Sequence, residues 1–289
     1  MSEYELPLVF FTVLCQWAVG TIVAITVLVY LQPAWLTDER RFACLRKLAV
    51  GVFIVNAIGS LLSLLHLGTP TGAYRAILGI EHSWLSREVV AFFLLNAVAF
   101  FWTVAFVFLG RRQALLKGLS LLTSFVGIAA VLVSAQVYYQ MSSHPMWHSV
   151  MTHLSFIATA MLLGFVTLSL VISVRNAVSS EESGALPGLL PCGILLGAAA
   201  LLVVILWYGQ GLVRQDQLMQ SAIVIFSSGL FGWLIFGGVL TGSALAFYLL
   251  RKPTLSTATG GILMLVVLSA AVCGRMLFYY GVMSQSPWF

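Results

Sequence analysis

The sequence Leu65-His66-Leu67-Gly68-Thr69-Pro70-Thr71-Gly72-Ala73-Tyr74-Arg75-Ala76, followed shortly by Leu85-Ser86-Arg87-Glu88, separates two long apolar runs. Gly68 and Pro70 are typical of the end of a helix, and Ser86 is a good N-cap for the next one. The stretch therefore predicts a loop between two membrane helices. It places His66 in the last turn of the first helix and Glu88 in the first turn of the second.

The composition indicates an integral membrane protein with no soluble domain. Of the 289 residues, 61% are hydrophobic and 8% are charged, whereas soluble domains carry about 25% charged residues. The acidic start of the chain argues against a cleaved signal peptide. The net charge of +5 comes from short loops and does not suggest a nucleic-acid partner. The four cysteines form no CxxC pair, so they predict neither an iron–sulfur motif nor a disulfide framework.

Eight apolar runs are long enough to cross a bilayer as helices. They predict an all-α integral membrane protein, a bundle of eight transmembrane helices in a single domain over residues 1–289. The predicted spans are 8–31, 47–66, 88–109, 115–138, 150–174, 188–209, 222–250 and 257–282.

The basic residues predict the orientation of this bundle. Under the eight-span plan, four of the 14 basic residues lie on one side, and all the others lie on the opposite, cytoplasmic side. Both termini, the five histidines and Glu88 then lie at or near the outward, periplasmic face. Tyr138, Trp147 and Tyr279 at the outward ends are typical of an interfacial aromatic belt. The basic residues of the cytoplasmic side are Arg40, Arg41, Arg46, Lys47, Arg111, Arg112, Lys117, Arg175, Arg251 and Lys252.

His66 and Glu88 are the strongest candidates for chemistry. Each has an ordinary structural interpretation, because an imidazole suits the negative end of a helix and a carboxylate suits the positive end. Together they form an acid–base pair at one membrane level on consecutive helices, and ionisable residues in membrane helices tend to mark function. Such a pair can accept two protons while electrons leave separately. The pattern therefore indicates oxidation of a quinol by general base catalysis.

Three arginines and a group of histidines are weaker candidates. Arg75 and Arg87 flank the pair and are either quinol or partner contacts or ordinary loop residues. Arg275 lies inside the last apolar run, where it should pair with a carbonyl or an acid, or contact a quinone. The group of His144, His148 and His153 is interpreted as part of a partner-docking loop. A metal site is the alternative, although no cysteine or acid stands nearby.

The chain resembles the membrane anchor subunit of the dimethyl sulfoxide reductase family, and the resemblance covers most of its length. That family has the same eight-span plan with both termini outside. The residues that carry the resemblance are Pro7 to Val13 with Gln16, His66-Leu67-Gly68 with Pro70, Arg75-Ala76, Leu85-Ser86 with Glu88, and Gly274-Arg275 with Phe278-Tyr279.

The resemblance implies a membrane anchor in the bacterial inner membrane that oxidises menaquinol at the periplasmic face. His66 and Glu88 match the quinol-site residues of the family, and Arg75 is a further quinol contact. The resemblance also implies a heterotrimer with an iron–sulfur subunit and a molybdopterin catalytic subunit, which hold those cofactors, and no haem in this chain. Tyr74, Arg87 and Trp147 on the outward loops are interpreted as partner-docking residues.

Two other functions remain open on the sequence alone. One is a cytochrome b that holds haem between His66 and a histidine of the fifth span such as His153. The other is a secondary transporter, a class that places its polar site near the midplane and commonly shows internal repeats. The transporter is less favoured, because the spans contain almost no ionisable residue at mid-depth and the sequence shows no repeat.

Overall fold

The computed structural model describes residues 6–66, 78–110, 112–178, 188–214 and 217–283, with the backbone alone for residues 64–66 and 178. In these ranges the chain forms helices and no strand. Eight helical segments of the described residues are long and apolar enough to cross a membrane, as predicted. The helices are α1 (Leu6–Leu31), α2 (Ala34–Thr37), α3 (Glu39–His66), α4 (Trp84–Phe108), α5 (Gln113–Tyr139), α6 (Val150–Val178), α7 (Leu189–Gln210), α8 (Gln217–Ser227), α9 (Gly229–Trp233), α10 (Thr241–Arg251) and α11 (Thr257–Met283).

The boundaries of two predicted spans differ most from the observed helices. The second span was predicted to start at 47, but α3 starts at Glu39, because hydropathy gives no signal for a helix that continues into basic residues. The seventh was predicted as 222–250, but α8 is a separate helix and the span is Gly229–Arg251. The extended backbone of Ser228 separates them, and its side chain accepts a hydrogen bond from Leu230 N. A π-helical segment, Leu234–Leu240, joins α9 to α10.

Helices α1 and α6 form the centre of the bundle. Helix α1 packs against α3, α5, α6 and α11, and α6 packs against α1, α5, α7 and α11. The two central helices approach closely where both lack a side chain. A Cβ at Gly20 would lie 1.7 Å from Ala160 O, and a Cβ at Gly164 would lie 1.9 Å from Gly20 C. Small residues allow this contact, which is the usual way that membrane helices pack.

The outer surface of the bundle is strongly apolar. On α4 and α5, Phe93, Phe108 and Phe125 are each more than 70% exposed. Many exposed apolar side chains of this size are unfavourable in water and are covered by lipid in a bilayer. The fold is therefore that of a multi-pass membrane protein.

Alternation of the spans brings one set of helix ends together, and we call this end of the molecule the Glu88 end. It contains the starts of α1, α4 and α6 and the ends of α3, α5, α7 and α11. The opposite end, which contains Trp35 of α2, is the Trp35 end.

Candidate functional site

Helix α4 begins earlier than the sequence suggested, and this changes the interpretation of Glu88. The N-cap is Ser83, not Ser86. The backbone of Ser83 is extended, and its side chain accepts a hydrogen bond from Ser86 N at 3.4 Å. The sequence offers two serines three residues apart, and only the structure shows which of them caps. Glu88 consequently lies in the second turn, beyond the first-turn positions where a carboxylate satisfies free N–H groups.

The Glu88 carboxylate is buried between two helices. Glu88 is only 6% exposed, and Ser134 Oγ of α5 donates a hydrogen bond to Glu88 Oε1. Burying a carboxylate in an apolar bundle is costly unless it is hydrogen-bonded, and here the neighbouring helix supplies that bond. Glu88 is therefore not the N-cap of α4, and its carboxylate is bonded to a neighbouring helix instead.

His66 is the last residue of α3 and lies at the same end of the bundle as Glu88. Helices α3 and α4 pack against each other, as their order in the chain predicted. The His66 side chain lies outside the described residues, as do Tyr74 and Arg75, so the structure gives no distance between the imidazole and the Glu88 carboxylate.

A hydrogen-bonded pair of tyrosines lies in the core of the Glu88 end. The hydroxyl oxygens of Tyr138 on α5 and Tyr279 on α11 are 2.8 Å apart, and both residues are at most 6% exposed. These tyrosines were predicted to belong to an interfacial belt, and that prediction was wrong. An apolar sequence around a tyrosine does not reveal whether its hydroxyl faces water or another helix.

Arg275 of α11 is bonded to a side-chain carbonyl inside the bundle, which confirms one of the two expected types of partner. Arg275 Nη2 donates to Gln16 Oε1 of α1 at 3.0 Å, and the guanidinium carbon lies 3.7 Å from the centre of the Phe156 ring. Arg275 is 3% exposed. These contacts join α11 to α1 and α6.

A second polar cluster, which the sequence analysis missed, links α1, α3 and α4. Asn56 Nδ2 donates to Asn96 Oδ1 at 2.9 Å, and Asn96 Nδ2 donates to Ser60 Oγ at 2.7 Å. Cys15 Sγ lies 3.8 Å from Ser60 Oγ. The available signal was the presence of two asparagines inside apolar runs. An amide carries no charge, so asparagines are not among the ionisable residues that stand out in an apolar sequence.

Two of the residues interpreted as partner contacts have partners within their own polypeptide. Arg87 donates to the carbonyls of Ile80 and Glu81 and stacks on the Trp84 ring at 4.3 Å. Trp147 is 3% exposed, and its Nε1 donates to Phe278 O at 2.9 Å. Trp147 therefore belongs to the core of the bundle, which leaves little of its ring for a partner.

The histidines of the 144–153 segment make hydrogen bonds within the bundle. His148 Nδ1 bonds to Tyr139 O, and His153 Nε2 lies 2.9 Å from Gln136 Oε1. Among the described residues, no three His, Cys, Asp or Glu side chains come together as a set of metal ligands. The metal interpretation of this segment therefore has no support from the geometry.

The described residues define a multi-pass membrane protein with a buried, hydrogen-bonded carboxylate at one end. Comparison with known families makes the assignment specific. The sequence matches the family model for the DMSO reductase anchor subunit (DmsC) over residues 1–282. The chain belongs to this family, so it is a membrane anchor subunit of the DMSO reductase type.

Individual relatives agree with the family match. The protein is 31% identical over 278 residues to the C chain of the anaerobic dimethyl sulfoxide reductase of Haemophilus influenzae, with 96% of this protein and 94% of the relative aligned. It is 27% identical over 288 residues to the YnfH chain of an anaerobic dimethyl sulfoxide reductase of Escherichia coli, with the same coverage. It is 26% identical over 295 residues to the C chain of the Escherichia coli anaerobic dimethyl sulfoxide reductase, again with the same coverage.

Proposed function

We propose that this chain is the menaquinol-oxidising subunit of a respiratory molybdoenzyme and acts as one membrane-anchor domain over residues 1–289. The observation that carries the proposal is the Glu88 carboxylate, which is buried in the membrane-spanning bundle and hydrogen-bonded by Ser134. A carboxylate held in this way, at the end of the bundle that also contains the end of α3, is suited to accept protons from a lipid-soluble donor.

In the proposed reaction, the protons and the electrons of the quinol go to different acceptors. Oxidation of a quinol to a quinone releases two protons and two electrons. In the proposal Glu88 takes one hydroxyl proton, the imidazole of His66 takes the other, and Arg75 contacts the quinol. The electrons pass to an iron–sulfur subunit, which delivers them to a molybdopterin subunit of the same heterotrimer. The scattered cysteines of this chain form no cluster-binding motif, in agreement with clusters held by a partner.

The proposed orientation puts the Glu88 end and both termini at the periplasmic side of the bacterial inner membrane. It rests on the excess of basic residues in the loops of the Trp35 end. The iron–sulfur partner then docks on the outward loops at 67–87 and 139–149, above the proposed quinol site. Tyr74 and Arg87 remain the proposed contact residues. Trp147 is not one of these contact residues, because its ring packs inside this chain.

The test compares two electron sources in the assembled complex. Glu88→Gln keeps the side-chain shape and removes the base, so we expect quinol-driven substrate reduction to fall by about two orders of magnitude. An artificial donor that reduces the partner subunits directly should still support the reaction. Glu39→Gln is a matched control, because Glu39 is an exposed acid in the first turn of α3 at the opposite, Trp35 end. Normal quinol turnover in assembled Glu88→Gln enzyme would contradict the proposal.

An absorption spectrum distinguishes the cytochrome b alternative from the proposed function. The purified protein in that case shows haem absorption bands in a reduced-minus-oxidised difference spectrum, and His153→Ala removes them. If the proposed function is correct, we expect no haem bands from this chain.

A further inference from the structure

A small cavity lies between α6, α7, the π-helical segment Leu234–Leu240 and α11. Its volume is about 40 Å³, more than the roughly 10–15 Å³ that admits one water molecule. It is far smaller than the roughly 300 Å³ or more of pockets that hold drug-sized ligands. The walls are mostly apolar, and the polar groups that line it belong to Ser155, Thr159, Tyr208 and Arg275.

The Arg275 guanidinium brings a positive charge to the wall of this cavity. The surrounding residues satisfy only part of its hydrogen-bonding capacity. Nη2 is bonded to Gln16, but Nε and Nη1 are buried and make no hydrogen bond to any residue that the structure describes. No carboxylate lies within ion-pair distance of Arg275 in the described part of the chain. A guanidinium does not lose its proton in a protein, so burial cannot neutralise it. A charge buried without a counter-charge is strongly unfavourable, and more so among membrane helices.

The guanidinium of Arg275 supplies the unused hydrogen-bond donors at this cavity. Besides the two guanidinium nitrogens, Tyr208 lines the cavity, and its hydroxyl is a further group that can donate a hydrogen bond. The hydroxyls of Ser155 and Thr159 donate to the carbonyls of Thr152 and Ser155, each at 2.8 Å. An excess of donors around a positive charge favours a ligand that accepts hydrogen bonds and carries negative charge.

The local backbone leaves this space open. Gly238 lies within the π-helical segment and lines the cavity, together with Gly274 of α11. A Cβ at Gly274 would lie 2.9 Å from Leu234 Cδ1, so a side chain there would press on the wall. Single π-helical segments inside helices frequently lie at functional sites.

We propose that this cavity binds one small monovalent anion of chloride size, held by Arg275 and Tyr208. The volume suits an ion of this size with one or two water molecules. The proposal makes no use of the quinol chemistry of Glu88, so each can fail without the other.

Equilibrium binding of radiolabelled chloride to the full-length protein, purified in chloride-free gluconate buffer, tests the proposal. We expect saturable binding of one chloride per protein molecule, with competition by bromide and none by gluconate. Tyr208→Phe removes one donor and should raise the dissociation constant about tenfold. Arg275→Gln should abolish binding.

Two control variants make the same substitutions, Tyr to Phe and Arg to Gln, away from the cavity. Tyr248→Phe alters a tyrosine at the Trp35 end, and Arg87→Gln alters an arginine of the α4 start. Both should bind chloride as the unmodified protein does. If Arg275→Gln does not fold, Tyr208→Phe alone decides the question. Absence of saturable binding to the unmodified protein, or equal binding by Tyr208→Phe, overturns the proposal and assigns the cavity to water.

Discussion

The hydroxyl oxygens of Tyr138 and Tyr279 lie 2.8 Å apart and join α5 to α11 inside the Glu88 end of the bundle. Each tyrosine stands one helical turn from another buried polar contact. Tyr138 follows Ser134, which bonds Glu88, and Tyr279 follows Arg275, which bonds Gln16. Polar groups from α4, α5, α11 and α1 therefore lie in one band across the bundle. Such bonds specify which helices pair, because an unpaired partner among apolar helices is costly.

The first prediction concerns the energy of the tyrosine pair. Tyr138→Phe and Tyr279→Phe each leave one buried hydroxyl without its partner, so each should lower the free energy of unfolding. The double variant should lose less than the sum of the two, with a coupling of roughly 0.6–1.7 kcal/mol. Denaturant unfolding of the purified protein in detergent measures this cycle. Tyr30→Phe, at an exposed tyrosine of α1, should have little effect; strict additivity of the pair would contradict the prediction.

The second prediction concerns Ser134 as the group that positions Glu88. Ser134→Ala removes the hydrogen bond to the carboxylate, and we expect quinol-driven turnover to fall about fivefold to tenfold, while Ser134→Thr should retain most of it. Activity with an artificial donor should not change. Ser120→Ala is the control on the same helix, since Ser120 accepts a bond from Trp102 Nε1 far from Glu88. An equal loss in both alanine variants would indicate a general packing defect instead.

The third prediction concerns the proposed cooperation of His66 with Glu88. Groups that act on one bound quinol give non-additive losses, because removal of either disables the same step. We expect His66→Ala and Glu88→Gln each to reduce quinol turnover severely and the double variant to be little worse than the poorer single one. Artificial-donor activity should persist in all three. Losses that multiply independently would show that these residues do not form one site.

The fourth prediction concerns the face that docks the iron–sulfur partner. In the proposed complex, residues 67–87 and 139–149 should become protected from protease or crosslinker when the partner is present, because the receiving cluster must lie close to the quinol. Residues 32–46 and 175–187 at the other end serve as the comparison. Protection confined to that second pair of segments would show that the proposed docking face is inverted.

The sequence by itself determined that this chain is a bundle of eight membrane helices, because hydropathy over about 20 residues is a local property that tertiary structure does not alter. It also identified His66, Glu88 and Arg275 as residues that need an explanation, since ionisable groups are rare in such helices. The motif around His66 and Glu88, together with the stretches from Pro7 to Gln16 and around Arg275, carried the family resemblance, which the comparison over residues 1–282 confirmed.

Only the tertiary structure decided what each of these side chains contacts. Ser134, 46 residues from Glu88, and Gln16, 259 residues from Arg275, are polar residues whose partners no local pattern reveals. The same holds for the Tyr138–Tyr279 pair and the Asn56–Asn96 bond. Every span in this protein is apolar on nearly all sides, so the sequence carries little information about which face of a helix meets lipid and which meets a neighbour. That choice depends on close packing at positions such as Gly20 and Gly164, which exists only once the helices are assembled.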